Sequence, residues 1–305
     1  MHKYELYAYL YGKKESVNKF LKEGVKGKDI NIRVQELDKH IDFAFSFLNK
    51  ELKKSKLWKY YIKTFHEYEK FKEYKEEVID KWIGLIITFH DIGKIFYQRN
   101  FGTFYDVKYL NFKGHEFLSV YLVDKFLGIW LEEDIENRIE EYKNFKWLTY
   151  ASILYHHHAM GLKRREKVNK INVCENKEHY RIILNKTSKI LNKYLKNNFN
   201  TVNLKNNFIK ELEIINLSKI KVKNRYIYIL SKETILDIFR YIEDLNTKIW
   251  EYFVRDKNLR KLMILTMSIL LITDYMSSKD REGTRSTFSK VLEDYVRIYK
   301  HLFSN

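Results

Sequence analysis

WIGLIITFHDIGK, residues 82–94, is the stretch whose reading decides the fold. Over 76–90 apolar side chains recur at helical spacing, at Val78, Ile79, Trp82, Ile83, Ile86 and Ile87. That apolar helix runs directly into adjacent His90 and Asp91. An unpaired carboxylate is costly to bury, so Asp91 needs a cation beside it.

The surrounding sequence also reads as helical. The chain of 305 residues has no proline and only 10 glycines, so breakers are few and long helices are expected. Segment 34–52 places Leu37, Ile41, Phe45 and Leu48 on one face, and 114–126 carries Phe117, Leu118, Tyr121 and Leu122. Segment 145–155 carries Leu148, Ile153 and Leu154, and 260–276 is apolar nearly all round, which predicts a central helix. Between 167 and 232 the composition turns to Asn and Lys, with β-leaning pieces such as 225–230. The expectation is a mostly α protein, one domain over 1–305. A small inserted or accessory lobe at 167–232, with short strands, interrupts its helical core.

Composition restricts the function classes. Hydrophobic residues make up 45% and charged residues 32%, a globular rather than a disordered balance. Lys and Arg number 57 against 40 Asp and Glu, a formal net charge of +17, which favours polyanionic partners. The single cysteine, Cys174, excludes an intrachain disulfide and suits a reducing compartment. The start, MHKYELYAYLYG, lacks the pattern of a secretion signal, and the apolar run 263–272 is shorter than the roughly 20 residues a bilayer requires. A cytoplasmic protein with no membrane partner is expected.

The histidines carry the chemistry. Beyond His90 and Asp91, four further segments place His or Asp at or near the end of an apolar helix. His40 lies in QELDKHIDFAF, His115 in KGHEFLS, and His156, His157 and His158 in SILYHHHAMG; Asp274 lies in LLITDYMSS. Imidazoles with carboxylates make a borderline donor set that suits Mn, Fe, Co, Ni or Zn better than Ca, while Mg would want more oxygen ligands. Two such metals roughly 4 Å apart can hold a hydroxide, bind a phosphoryl oxygen and stabilise a leaving oxygen, which is phosphoester hydrolysis.

In this order and spacing, the series resembles the HD superfamily of metal-dependent phosphohydrolases. It is most similar to the HD nuclease of type I CRISPR systems. The resemblance rests on the helix with His40, the HDIGK box, the GHE-x-x-S segment at 114–119, the I-x-x-HH segment at 153–157 and the late Asp274 followed by Ser277 and Ser278. It covers 34 to about 160 and resumes near 260. It implies one metal on His40, His90, Asp91 and Asp274. Asp91 would bridge to a second metal on His115 and two of the three consecutive histidines, with His156 and His157 favoured by register and His157 and His158 the alternative. It implies two divalent transition metals and makes Asp91 and Lys94 catalytic, Lys94 steadying the charge that develops on a phosphate.

Lys163, Arg164 and Arg165 follow the histidine run, and Lys279, Arg281 and Arg285 follow Asp274, positions suited to a nucleic-acid backbone. The 24 Tyr and 20 Phe offer stacking surfaces, although most are expected in the core. The sequence contains no G-x-x-x-x-G-K-[ST] phosphate loop. The expected function is therefore a metal-dependent nuclease for single-stranded DNA or RNA in CRISPR interference. Its partners would be a separate helicase subunit and an RNA-guided surveillance complex. The alternative is a phosphohydrolase of free or cyclic nucleotides on the same ligands; a non-catalytic binding module that keeps the fold is a third reading.

Overall fold

A computed structural model describes residues 5–23, 32–157, 170–196, 198–199, 202–222 and 225–278. The fold is mostly α, with small antiparallel sheets. The helices that build the centre of the molecule are α2 (Leu37–Lys50), α3 (Lys56–Glu67), α4 (Glu76–Phe89), α5 (His115–Glu132) and α6 (Ile135–Tyr155), joined by α9 (Lys232–Val254) and α10 (Lys257–Ser277). Several of these starts have a local cause. Glu76 and Glu77 stand in the first turn of α4, where the helix dipole favours negative charge. Ser231 and Asp256 accept backbone N–H groups at the starts of α9 and α10. Gly114 turns the chain into α5 at φ 80°, a left-handed conformation that glycine adopts without a Cβ penalty.

Helix α4 is buried on every side from Trp82 to Phe89. Trp82 stacks on Phe145 of α6 at 5.1 Å between centroids and meets Trp130 of α5 edge-on. Helix α10 packs against α2, α3, α4, α6 and α9. It is not enclosed all round, however: Leu262, Thr266, Ile269 and Leu270 face inward while Ile264 lies exposed.

The helix expected from residue 34 begins at Leu37 instead. Strand β2 (Ile32–Glu36) precedes it and pairs antiparallel with β1 (Tyr7–Lys13). The apolar pattern of this segment suits either state locally, and a partner strand 25 or so residues away in the chain decides it. With β3 (Phe101–Phe104) and β4 (Val107–Leu110) these strands form a sheet of order β2-β1-β4-β3. Helix α1 (Lys14–Glu23) packs on one face of it, where Tyr7, Leu10, Val17, Phe20 and Leu110 make a second, smaller core.

The segment 167–232 carries the small lobe, a sheet of order β5-β7-β6 made by β5 (Asn172–Cys174), β6 (Leu217–Val222) and β7 (Arg225–Leu230). The helices of this segment, α7 (Lys177–Leu195) and α8 (Val202–Glu213), are part of the main core. Phe208 meets Phe89 and Phe126, and Phe199, just after α7, meets Trp82, Phe126 and Trp130. Cys174 is buried and unpaired with any other cysteine. Among the described residues no helix is long and apolar enough to cross a membrane.

Candidate metal centre

Five segments far apart in the chain meet at one point. His40 comes from the first turns of α2, His90 caps the end of α4, and Asp91 follows it. His115 opens α5, His156 and His157 follow the last turn of α6, and Asp274 lies near the end of α10. These seven side chains form two groups, His40/His90/Asp91/Asp274 and Asp91/His115/His156/His157, in each of which the donor atoms lie within 4.8 Å of one another. Asp91 belongs to both, and the groups coincide with those the motif resemblance implied.

In the first group, His40 Nε2 stands 3.2 Å from Asp91 Oδ2 and 3.1 Å from Asp274 Oδ1. His90 Nε2 stands 3.6 Å from each of the same two oxygens. In the second, His115 Nε2 approaches Asp91 Oδ1 to 2.9 Å without the alignment of a hydrogen bond. Asp91 Oδ1, His115 Nε2, His156 Nε2 and His157 Nδ1 are buried atoms with no hydrogen-bond partner. Four converging, unsatisfied donor atoms in the interior are unusual unless something binds them, and imidazole nitrogens with carboxylate oxygens fit a divalent metal.

The backbone aims these rings. His90 Nδ1 lies 2.7 Å from the Ile87 carbonyl, His115 Nδ1 2.8 Å from that of Phe112, and His156 Nδ1 2.6 Å from that of Ile153. In each case the carbonyl three residues back takes the Nδ1 proton, which leaves Nε2 facing inward as the nitrogen a metal would take. His40 is held by the Ser277 hydroxyl, 2.9 Å from its Nδ1.

Charge at the site follows from burial and proximity. Burial alone would raise the carboxyl of Asp91, but Lys94 and His90, with His115 and His40, hold it well below the usual carboxylate range. Asp274 is likewise kept low, against burial, by His40 and His90. Burial lowers His156 to about 3, aided by His90 and His115, and also pushes His157 down, so both are neutral at ordinary pH. Lys94 is buried, and its Nζ donates to Asp91 Oδ2 at 2.6 Å. Its carrier is the 3-10 turn Ile92–Tyr97, not a continuation of α4.

Several residues that the sequence reading left without a role shape the centre. Gly93 donates its N–H to Ser119 Oγ at 2.9 Å, and a Cβ at Gly93 would stand 2.2 Å from the carbonyl oxygen of His115. Glycine thus lets the Asp91 turn touch the start of α5. Gln98 donates to the Lys94 and Tyr7 carbonyls, and Gln35 donates to the Ser277 carbonyl at 2.7 Å. The HDIGK and GHE-x-x-S patterns contain Gly93 and Ser119, but their contact is set by tertiary packing. His66 and His179 lie apart from the centre, bonded to Tyr74 and to the Glu175 backbone. His158, the cluster Lys163, Arg164 and Arg165, and the cluster Lys279, Arg281 and Arg285 lie outside the described residues.

No family model matches the sequence, and no curated protein or solved structure matches the chain.

Proposed function

We propose that the chain is a metal-dependent hydrolase of phosphodiester bonds in single-stranded nucleic acid, with two divalent transition metals at the centre just described. The observation that carries this is the sharing of Asp91 between two groups of buried, inward-aimed His and Asp donors. Five imidazoles to two carboxylates favour Mn, Fe, Co or Ni over Mg or Ca. Such ions, when bound, supply Lewis acidity toward a phosphoryl oxygen and acidify water.

The chain's own groups supply the rest. The Nδ1 contacts to carbonyls fix the rings of His90, His115 and His156 before substrate arrives, so little reorganisation of these three is needed during reaction. Lys94 steadies Asp91 and supplies an ammonium that could offset charge developing on a phosphate. Burial strengthens each of these electrostatic contacts. The net charge of +17 favours a polyanion as partner. The motif resemblance extends the proposal to CRISPR interference, with a separate helicase subunit and an RNA-guided complex as partners.

The test is hydrolysis by metal-depleted protein resupplied with Mn, Co, Ni, Fe, Mg or Ca. Labelled single-stranded DNA, single-stranded RNA, duplex, and free and cyclic nucleotides are the substrates. Cleavage of single strands in a transition metal, lost in EDTA, is expected. Lys94→Gln should lower the single-turnover rate by roughly 10²-fold. Full activity in EDTA would remove the metal mechanism, and hydrolysis confined to nucleotides would reassign the site to small substrates.

A further inference from the structure

The sheet β2-β1-β4-β3 has two unlike faces. One is closed by α1 over Leu10 and Leu110. On the other, Arg33, Tyr11, Tyr109 and Gly102 are cross-strand neighbours in a single row. In the next row Lys13 and Phe104 flank Val107. Strand alternation puts both rows on the side away from α1. Tyr11 is 36% exposed and Phe104 66%.

The rings are held in place. Tyr9 and Tyr11 lie nearly parallel, 15° apart, with centroids at 6.3 Å, and the Arg33 guanidinium stands 5.8 Å from the Tyr11 ring centre. The Tyr109 ring lies across Gly102, where a Cβ would stand 2.5 Å from the ring. At the turn between β3 and β4, Tyr105 adopts φ 51°, a left-handed conformation that turns usually assign to glycine or asparagine. Its ring is 90% exposed and packs edge-on against Phe104 at 4.5 Å. Core packing accounts for neither ring, and a bulky side chain at positive φ points to function.

This face is joined to the metal centre. Gln35, in register with Tyr9, donates to the Ser277 carbonyl, and Ser277 holds His40. Strand β2 runs directly into α2, which carries His40, and β4 leads within a few residues to His115.

The geometry points to this aromatic and cationic sheet face as a platform for single-stranded nucleic acid, on which bases stack before the strand reaches the metal centre. The inference rests on the nuclease reading above and names where its substrate lies. Flat rings serve any base because every base has a π-face, and neighbouring cations meet the phosphates. A duplex, whose bases are already stacked on one another, gains little from the rings, so the platform selects single strands.

The test is binding in EDTA, where hydrolysis is blocked, using labelled oligothymidylate, oligouridylate and a DNA duplex. Tyr11→Ala combined with Phe104→Ala and Tyr105→Gly should weaken single-strand binding by about tenfold for each ring removed. Duplex binding should hardly change, and Tyr11→Phe should bind like the parent protein. Tyr105→Gly relieves the left-handed tyrosine, so it should not lower the melting temperature, which separates lost stacking from unfolding. Photo-crosslinks from 5-iodouridine should map to Tyr11, Phe104, Tyr105 or Tyr109. Unchanged affinity in the triple variant, or crosslinks elsewhere, overturns the platform. If the parent protein still cleaves single strands with its metals, the nuclease reading survives that result. Ring-dependent binding without hydrolysis in any metal would support the platform and overturn the nuclease reading.

Discussion

The centre depends at the residue scale on a glycine and an ion pair as much as on its metal ligands. Gly93 sits where a methyl group would overlap the His115 carbonyl, and both partners there are backbone or tightly held. Gly93→Ala should therefore part Asp91 from His115, cost about 1–3 kcal/mol of stability or more, and weaken metal binding. Thermal melting and a competitive chelator titration would check both; unchanged metal affinity would show that the contact is dispensable. Lys94 and Asp91 form a buried pair at 2.6 Å. In the metal-free protein Asp91→Ala should cost about 3–5 kcal/mol, because it strands a buried ammonium. Adding Lys94→Met should recover most of that loss. A double-mutant cycle by denaturant unfolding measures the coupling, and additive losses would rule out the pair as the cause. The residues involved were visible as members of sequence patterns, but not their reasons. A glycine's necessity depends on what lies across from it, and in this case that is a helix 22 residues further along the chain.

Helices were legible as elements because their apolar spacing is local. The pattern at 76–90 corresponds to α4 and that at 260–276 to α10. Strands were less legible. The first sheet pairs β1 with β2 and β4 across a long intervening stretch, and no short window carries that information. The consequence is a misplaced start for α2 and a platform that sequence inspection could not locate among so many tyrosines. The coupling between α2 and α10 also exists only as an assembly of elements: Ser277 at the end of α10 holds His40 from α2, while Gln35 from β2 holds the Ser277 carbonyl. Ser277→Ala should lower affinity for metal by about 10–100-fold while helix content stays the same, because the ring loses its orienting partner. Chelator competition and far-UV circular dichroism test this, and wild-type affinity would assign His40's orientation to packing alone.

Across the whole molecule, the candidate metal ligands bring α2, α4, α5, α6 and α10 to one point in the interior. Binding there should stabilise the entire fold, because the unfolded chain does not hold the donors together. A metal at about 100 times its Kd should add about 2.7 kcal/mol, and EDTA should reverse it. The expected outcome is one cooperative melting transition that moves upward with Mn concentration. A transition insensitive to metal would mean that the two groups do not bind it. The segment that carries the small lobe is tied to the same core: its helices α7 and α8 pack against α4 and α5.

The sequence by itself determined the helical class, the apolar helices that lead to each ligand, and the list of side chains able to hold a metal. It could do so because helical periodicity and the cost of burying His and Asp are properties of short segments. Tertiary structure alone decided that His115, His156 and His157 come within reach of Asp91, and that Gly93 must lack a side chain. It also decided that four scattered strands would gather Tyr11, Tyr109 and Phe104 on one face. These depend on which distant segments approach each other, and packing and strand register settle that only when the whole chain folds.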